Sequence, residues 1–259
     1  MKNPLENNRT KSAVDFYDDL ASDYDKMTKF AQRLERTKLL MGKWQSRFQF
    51  SSVLDAACGT GLHSCVLAQM GIKTTGADIS LQMLEKAKHN ATQLGVNVEW
   101  IHSSMQDLKK HSHKKFDAVF CLGNSLPHLL TKSDLDTSVT NFAALLNNNG
   151  IFVAQLLNYR RILLNRDRII NIARYEDQNI IRFYDFDQHL IQFNILTFQW
   201  VGEKVSYKLQ STPLIPYTKK AIADALLLQG FKKVEFYGGM NFEKFNEGTS
   251  ANLVVIGTI

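Results

Sequence analysis

The stretch Asp55-Ala56-Ala57-Cys58-Gly59-Thr60-Gly61 decides the fold expected of this chain of 259 residues. The preceding run SVLDA predicts a buried strand, and the following run LHSCVLAQM predicts a helix. A glycine turn between a strand and a helix lets the backbone approach a bound nucleotide closely, and the first N–H groups of the helix are free to bind it. The stretch therefore predicts a nucleotide-binding turn after the first strand.

Strands and helices alternate on the C-terminal side of this turn. The next predicted strands are IKTTGADI, VNVEWIHS, FDAVFCLG and IFVAQLLN. In the helix that follows the second strand, Ser80 is placed to cap the first turn and Gly95 to end the last. Such alternation implies right-handed crossovers. We therefore expect an α/β fold with a doubly wound, mostly parallel sheet covered on both faces.

Two segments depart from this alternation. Residues 13–50 carry apolar residues at helical spacing, which predicts two amphipathic helices that cap the domain. Residues 165–215 alternate with period two between turn residues, which predicts an antiparallel β insertion after strand five, on the substrate side. The α/β pattern then resumes with a capped helix and two strands expected to pair antiparallel at the sheet edge. We expect one domain over residues 1–259, with residues 1–12 as a flexible tail.

The composition of the chain limits which binding partners and which cellular compartment we expect for it. The formal net charge is +6, but it is spread thinly, and its densest run, KKHSHKK, has no interleaved aromatic residues for base stacking. We therefore expect a small-molecule partner rather than nucleic acid. The three cysteines match no zinc spacing, so no metal is expected. With no run of about 20 apolar residues and no signal-peptide stretch, the chain is predicted to be cytoplasmic and to lack a membrane segment. Its oligomeric state stays open.

Three residues near the glycine turn indicate which ligand it binds. Asp78 ends the second strand, where a carboxylate can accept hydrogen bonds from both hydroxyls of a ribose. The third glycine of a dinucleotide fingerprint is replaced by Ser64. Asp55 precedes the glycines, where it suits a ligand with a cationic amino group better than a pyrophosphate. The turn alone also fits an NAD(P)-dependent oxidoreductase on a Rossmann-like fold, which remains an alternative.

Four motifs together, DAACGTG, GADIS, FDAVFCLGNS and LLLQGFKKVEFYGG, resemble the class I S-adenosylmethionine-dependent methyltransferases over nearly the whole chain. Within that class, CLGNSLPHL and NYRRIL are most similar to the glycine/sarcosine N-methyltransferase group. The resemblance implies that S-adenosyl-L-methionine is the cofactor. It also implies transfer of a methyl group to a nitrogen or oxygen nucleophile of a small-molecule acceptor by in-line displacement. An RNA-modifying methyltransferase is the other alternative.

The resemblance also implies roles for individual residues. Ala57 and Gly59 present backbone atoms to the methionyl amino group while Asp55 orders the loop. Asp78 holds the ribose and Arg33 the cofactor carboxylate. Tyr17 and Tyr24 lie on a helix over the cofactor, where core packing is an equal alternative. The implied cofactor-binding residues are Tyr17, Tyr24, Arg33, Asp55, Ala57, Gly59, Gly61, Asp78, Ile79, Ser104, Met105, Leu122 and Ser125, of which Ser104 and Met105 are the adenine contacts.

The sequence indicates the residues around the methyl acceptor less clearly than those around the cofactor. His128 and Asn124 are the candidate catalytic residues, with His128 as a base or a substrate hydrogen-bond partner and a structural histidine as the alternative. The group that the chain resembles carries an arginine, expected to hold the substrate carboxylate, where this chain has Leu157. We therefore do not expect glycine as the acceptor unless Arg160, Arg161 or Arg182 supplies the charge. The polar side chains expected from the insertion are Arg182, Tyr184, His189 and Tyr217.

Overall fold

The computed structural model describes residues 10–175 and 178–259, and within them the strands form a seven-stranded and a four-stranded sheet. The helices in this part of the chain are α1 (Ala13–Asp18), α2 (Ala21–Thr28), α3 (Phe30–Phe48), α4 (Leu62–Gln69), α5 (Leu81–Gln93), α6 (Leu108–His111), α7 (Lys132–Leu145), α8 (Tyr159–Asn165) and α9 (Lys219–Leu228). The strands of the large sheet are β1 (Ser52–Asp55), β2 (Lys73–Asp78), β3 (Glu99–His102), β4 (Phe116–Cys121), β5 (Leu146–Leu157), β10 (Lys233–Tyr237) and β11 (Asn252–Thr258). The strands of the small sheet are β6 (Ile169–Tyr175), β7 (Gln178–Phe186), β8 (Ile191–Val201) and β9 (Lys204–Leu214).

The large sheet has the order β10-β11-β5-β4-β1-β2-β3. β1 pairs parallel with both β2 and β4, so the strand order reverses at β1. β10 and β11 pair antiparallel at the edge, as the sequence predicts. The expected doubly wound, mostly parallel sheet is therefore confirmed, and its reversal point places the glycine turn after β1 at the position where such sheets bind ligands.

Apolar side chains cover the large sheet on both faces. Val53 packs with Trp44 of α3 and Leu67 of α4 on one face. The next residue, Leu54, packs on the other face with Phe142 of α7 and Leu226 of α9. Successive side chains of a strand point to opposite faces, so this short apolar run requires cover on both sides. The position of β1 in the middle of the domain follows from that requirement.

Local signals set the helix starts and ends. Ser80 Oγ accepts from the N–H of Met83 at the start of α5, and Gly95 follows this helix with a φ of +65°. Both agree with the sequence prediction. The predicted two helices over residues 13–50 are wrong, because the chain forms α1, α2 and α3 there. The first predicted helix is divided into α1 and α2 at Asp19 and Leu20, whereas Lys29, with a φ of +56°, separates α2 from α3 where the sequence pattern also changes.

Two further boundaries differ from the sequence prediction. β5 begins at Leu146 rather than Ile151, because Leu146 pairs with Phe116 across an irregularity in the ladder. α6 lies between β3 and β4 and α8 follows β5, and neither helix is predicted from the sequence.

The four strands of the small sheet pair antiparallel in chain order, which confirms the predicted β insertion after strand five. Its inner face packs on the N-terminal helices, where Ile180 and Ile195 contact Phe16 and Leu20. Most of the predicted tail over residues 1–12 lies outside the described residues. Within the described part, the N–H of Lys11 donates to the carbonyl of Ser211 at 2.9 Å, which anchors the start of α1 to the small sheet.

Among the described residues, no helix is both long enough and apolar enough to cross a lipid bilayer.

Candidate active site

The glycine turn opens into a cavity at the carboxyl ends of β1, β2 and β4. The cavity encloses about 1060 Å³ of space, including its open mouth. α1, α2 and α3 contribute Tyr17, Tyr24 and Arg33 to its wall. The N-terminal helices therefore cover the ligand-binding edge of the large sheet.

Asp78 is the buried acid of this cavity. Its Oδ2 accepts from the N–H of Gly59 at 2.8 Å, and its Oδ1 accepts from the N–H of Ser80 at 2.9 Å. Burial is the largest influence on its pKa, which is raised above the usual value. Each carboxylate oxygen keeps a lone pair for a further donor. Asp78 is thus oriented by the turn itself and can bind a pair of hydroxyls.

The two glycines of the turn serve different purposes. Gly59 lines the cavity with a φ of +54°, and an added Cβ would have Tyr24 at 4.0 Å as its nearest neighbour. At Gly61, with a φ of +85°, a Cβ would lie 2.9 Å from the ring of Trp100 and 3.0 Å from Ala87. Gly59 therefore gives a ligand access to the backbone, whereas Gly61 makes room for the packing of α4 against β3 and α5.

Asp55 lies beneath the turn and does not line the cavity. Its Oδ2 accepts from Ser64 Oγ at 2.8 Å, while its buried Oδ1 has no hydrogen-bond partner among the described residues. Burial raises the pKa of Asp55 to about 7. The serine that replaces the third glycine of the fingerprint thus has a role here, since it supports this acid.

Tyr17 and His128 meet in the wall of the same cavity. The Tyr17 hydroxyl lies 3.0 Å from His128 Nε2, and the two rings meet edge to face. Burial lowers the pKa of His128 to about 4, so the imidazole is neutral at pH 7. Its Nδ1 is buried without a hydrogen-bond partner among the described residues. A neutral imidazole with one free nitrogen can bind or deprotonate a ligand group placed beside it.

Of the two predicted adenine contacts, Met105 lines the cavity and Ser104 does not. Met105 lines the cavity, together with Ser103 and Gln106, which the sequence interpretation missed. Ser104 does not line it, and its Oγ donates to Asp107 at 3.0 Å. Ser103 directly follows β3, where the sequence pattern alone does not determine the last residue of the strand. Ala57, Ile79, Leu122 and Ser125 line the cavity as well.

Asn124 takes no direct part in the cavity wall. Its φ is +70°, its Oδ1 accepts from the N–H of Leu157 at 2.9 Å, and its Nδ2 donates to the Tyr159 hydroxyl at 2.8 Å. The amide therefore ties the loop after β4 to the end of β5. This arrangement gives Asn124 the geometry of a residue that positions its neighbours Gly123 and Ser125, both of which line the cavity.

The polar residues expected from the insertion also lie outside the cavity wall. Arg182 donates to the carbonyl of Met27 at 3.1 Å, and the Tyr217 hydroxyl donates to the carbonyl of Leu129 at 2.6 Å. Tyr184 is buried in an apolar cluster with Tyr159 that Leu157 joins, and His189 is exposed. The small sheet thus supports α2 and the loop after β4 rather than supplying these side chains to the cavity.

No group of three or more His, Cys, Asp and Glu side chains that could hold a metal ion is found in the described part of the chain.

Comparison with known proteins agrees with this geometry. Residues 53–150 match the family model of the methyltransferase domain. The glycine/sarcosine N-methyltransferase of Halorhodospira halochloris is 33% identical over 232 residues, which cover 87% of this chain and 79% of that protein. The glycine/sarcosine N-methyltransferase of Aphanothece halophytica is 35% identical over 156 residues, which cover 55% of this chain and 59% of that protein. The match thus spans less than two thirds of the length of this second relative.

The fold has a counterpart among solved structures. An S-adenosylmethionine-dependent methyltransferase from Clostridium acetobutylicum superimposes with a TM-score of 0.77 at 17% identity, covering 94% of this chain and 98% of the other. The sheet, the turn and these matches define the class I S-adenosylmethionine-dependent methyltransferases. This chain belongs to that class, in the family that includes the glycine/sarcosine N-methyltransferases.

The residues present fit S-adenosylmethionine. Asp78 retains acceptor lone pairs for the ribose hydroxyls, and Gly59 leaves the backbone of the turn accessible. Arg33 lines the cavity, and its guanidinium has no ion-pair or hydrogen-bond partner among the described residues. These groups complement three parts of the cofactor, which are its ribose, the methionyl chain that lies along the backbone of the turn, and its carboxylate.

Proposed function

We propose that this protein transfers the methyl group of S-adenosylmethionine to a nitrogen or oxygen atom of a small molecule that carries no carboxylate. The observation that carries the proposal is the cavity that Asp78 and the Tyr17–His128 pair line together. Asp78 is suited to hold the ribose, and the acceptor is then placed beside the Tyr17–His128 pair. In this account the small sheet supports the substrate side of a single domain.

When bound, the cofactor supplies a methyl group on a sulfonium, which an acceptor lone pair takes in line as the S–C bond electrons stay on sulfur. The protein's own contribution is orientation, which can supply up to roughly 7–11 kcal/mol of barrier reduction in the best cases. Asp78, Gly59 and Arg33 fix three separate parts of the donor. Three fixed points prevent the donor from rotating about any one of them.

His128 is suited to bind or remove a proton of the methyl acceptor. Because the pKa of His128 is lowered to about 4, its imidazole is unprotonated at neutral pH and has a basic nitrogen. Whichever nitrogen carries the proton, the Tyr17 hydroxyl can complement Nε2, since a hydroxyl both donates and accepts. The pair lines the cavity, so its hydroxyl and imidazole can orient an amine or accept the proton of a hydroxyl. A base of this kind contributes about 10²–10⁴-fold and matters more for a hydroxyl than for an amine.

The charge of the cavity supports an acceptor without a carboxylate. Arg33 is the one arginine or lysine among the cavity-lining residues that the structure describes. We assign it to the cofactor carboxylate, which leaves no cation beside the Tyr17–His128 pair. Leu157 stands at the position of the group's substrate-binding arginine and packs in an apolar cluster. Arg160 is exposed, Arg161 is half-buried outside the cavity wall with its Nε unpartnered among the described residues, and Arg182 donates a hydrogen bond to the Met27 carbonyl.

Release of S-adenosylhomocysteine with matched acceptor pairs tests this proposal. Each pair contains an amino acid and its neutral partner, such as glycine with glycinamide or sarcosine with sarcosinamide. Panels of amino sugars, amino alcohols and phenols extend the search. We expect turnover with at least one acceptor that lacks a carboxylate and at least tenfold lower kcat/KM for its carboxylate partner. Faster turnover of glycine and sarcosine than of their amides contradicts the acceptor assignment.

A gain-of-function variant complements the acceptor panel. Leu157→Arg should raise kcat/KM for the carboxylate acceptors relative to their amides, because a guanidinium pairs bidentately with a carboxylate. Leu157→Met, which keeps an apolar side chain of similar volume at this site, is the control and should leave the ratio unchanged.

A further inference from the structure

His63 is a cavity-lining residue to which the roles above give no task. It is the second residue of α4 and follows the glycine turn directly. It lines the same cavity as Arg33 of α3, the helix that packs against α4. Neither side chain has a hydrogen-bond or ion-pair partner among the residues that the structure describes, and the half-buried imidazole faces the cavity that both residues line. Two donors of this kind on adjacent helices point to one ligand group.

The charge state of His63 limits what that group can be. Burial, and then the charge of Arg33, lower the pKa of His63 to about 4. The imidazole is therefore neutral at pH 7 and offers one N–H donor beside a permanent cation. The first turn of α4 adds the partial positive charge of a helix N-terminus. Together these groups complement an anion, and a carboxylate matches the fork of the guanidinium while leaving lone pairs for a third donor.

We propose that His63 is a positioning residue whose imidazole N–H donates to the cofactor carboxylate that Arg33 pairs with. This inference rests on the proposed function, because it requires that S-adenosylmethionine occupies the cavity with its ribose on Asp78. A carboxylate held from two helices fixes the methionyl chain in rotation as well as in position. The neutral imidazole also leaves Arg33 as the single charge, so the pair does not repel itself before the ligand arrives.

A pair of ligands that differ only in the carboxylate tests His63. S-adenosylhomocysteine carries the carboxylate, and S-adenosyl-3-thiopropylamine keeps the adenosine, the sulfur and the amine but lacks it. Calorimetric titration of the wild type and His63→Ala with both ligands gives four affinities. We expect His63→Ala to weaken S-adenosylhomocysteine about tenfold or more and the thiopropylamine at most about twofold, because the lost hydrogen bond is to a charged group.

Two further variants complete the design. His63→Gln keeps an N–H donor and should recover part of the affinity for S-adenosylhomocysteine. His89→Ala removes an exposed histidine of α5 and should change neither affinity. Thermal unfolding of each variant separates loss of binding from loss of folding, and His63→Gln provides the test if His63→Ala does not fold.

The outcomes distinguish this inference from the proposed function. If the wild type binds neither ligand, the proposed function fails. If the wild type binds S-adenosylhomocysteine but His63→Ala weakens both ligands equally, or neither, the inference about His63 is overturned while the proposed function stands.

Discussion

The Tyr17 hydroxyl lies 3.0 Å from His128 Nε2, which joins the first helix over the cavity to the loop after β4. The two ring centroids are 5.3 Å apart. This contact connects two parts of the chain separated by 111 positions. Both residues line the cavity, and the contact holds the imidazole in one orientation. A helix that covers the cofactor is thereby also part of the site where we place the methyl acceptor.

Removal of this hydroxyl should slow methyl transfer without unfolding the protein. In Tyr17→Phe, His128 loses its partner, and a net loss of about 1 kcal/mol corresponds to a five- to tenfold fall in kcat/KM. S-adenosylhomocysteine affinity should fall much less. Tyr207→Phe is the matched control, because Tyr207 is an exposed tyrosine of the small sheet. Unchanged kinetics in Tyr17→Phe rules out an acceptor-side role for the contact.

Replacing each of the two glycines of the turn by alanine should distinguish a role in packing from a role in cofactor binding. Gly61→Ala places a methyl group 2.9 Å from Trp100. Overpacking costs about 1–3 kcal/mol, and left-handed backbone adds about 1–2 kcal/mol. We expect Tm to fall by roughly 5–15 °C, given about 2–4 °C per kcal/mol for a chain of this size.

Gly59→Ala should instead lose affinity for the cofactor while Tm falls by only a few degrees, because its Cβ has space but projects into the cavity wall. The control is Gly71→Ala, where φ is +79° and no atom lies within 4 Å of the added Cβ, so that only the backbone cost remains. Equal Tm values for Gly61→Ala and Gly71→Ala contradict the packing role of Gly61.

The stability of the protein should depend on the ionisation of Asp55. Its pKa of about 7 in the folded protein lies above the value of 3.8 that an unperturbed aspartate has, so the folded protein binds this proton more tightly than the unfolded chain does. The contribution of Asp55 to the free energy of unfolding is full below about pH 4 and is lost as the pH rises to about 7. Asp55→Asn stays neutral, so the wild type should lose stability relative to it across that window.

Urea unfolding at several pH values between 4 and 8 measures this difference. Asp117→Asn is the control with the opposite sign, because hydrogen bonds from Ser51, Ser52 and Asn147 lower the pKa of Asp117 to about 2. Its stabilising contribution is present above about pH 4 and is lost as the pH falls toward 2, so its difference from the wild type should be constant between pH 4 and 8. A constant difference for Asp55→Asn as well refutes the predicted ionisation.

The large sheet and the cofactor edge of the site could be predicted from the sequence because their signals are local. Buried strands such as Ser52–Asp55 read as short apolar runs, and Ser80 and Gly95 mark a helix by their own chemistry. Asp78 could be placed because the acid follows its strand directly. Each of these assignments depends on the residues of one segment and on the type of sheet. None depends on contacts with residues distant in sequence.

The remaining features depend on contacts between segments distant in sequence. Whether Ser103 or Ser104 faces the ligand depends on where β3 ends, which pairing with β2 decides. Asn124 lies within the motif CLGNS and is predicted to be catalytic, yet its amide forms hydrogen bonds with Leu157 and Tyr159, more than 30 positions away. The role of His63 depends on α3 lying beside α4. Tertiary packing, and not local pattern, determines each of these positions.

Calorimetric titration with S-adenosylhomocysteine, of the wild type and of Asp78→Asn, tests the central claim most directly. The structure gives Asp78 two backbone donors and leaves its free lone pairs for a ribose, so that the variant loses one or two hydrogen bonds to a charged acceptor. At about 1.5–3 kcal/mol for each, affinity should fall roughly a hundredfold, whereas Asp107→Asn on the exposed loop should bind as the wild type does. The account predicts micromolar binding by the wild type and this selective loss. Absence of binding by the folded wild type, or equal affinities for the wild type and Asp78→Asn, contradicts it.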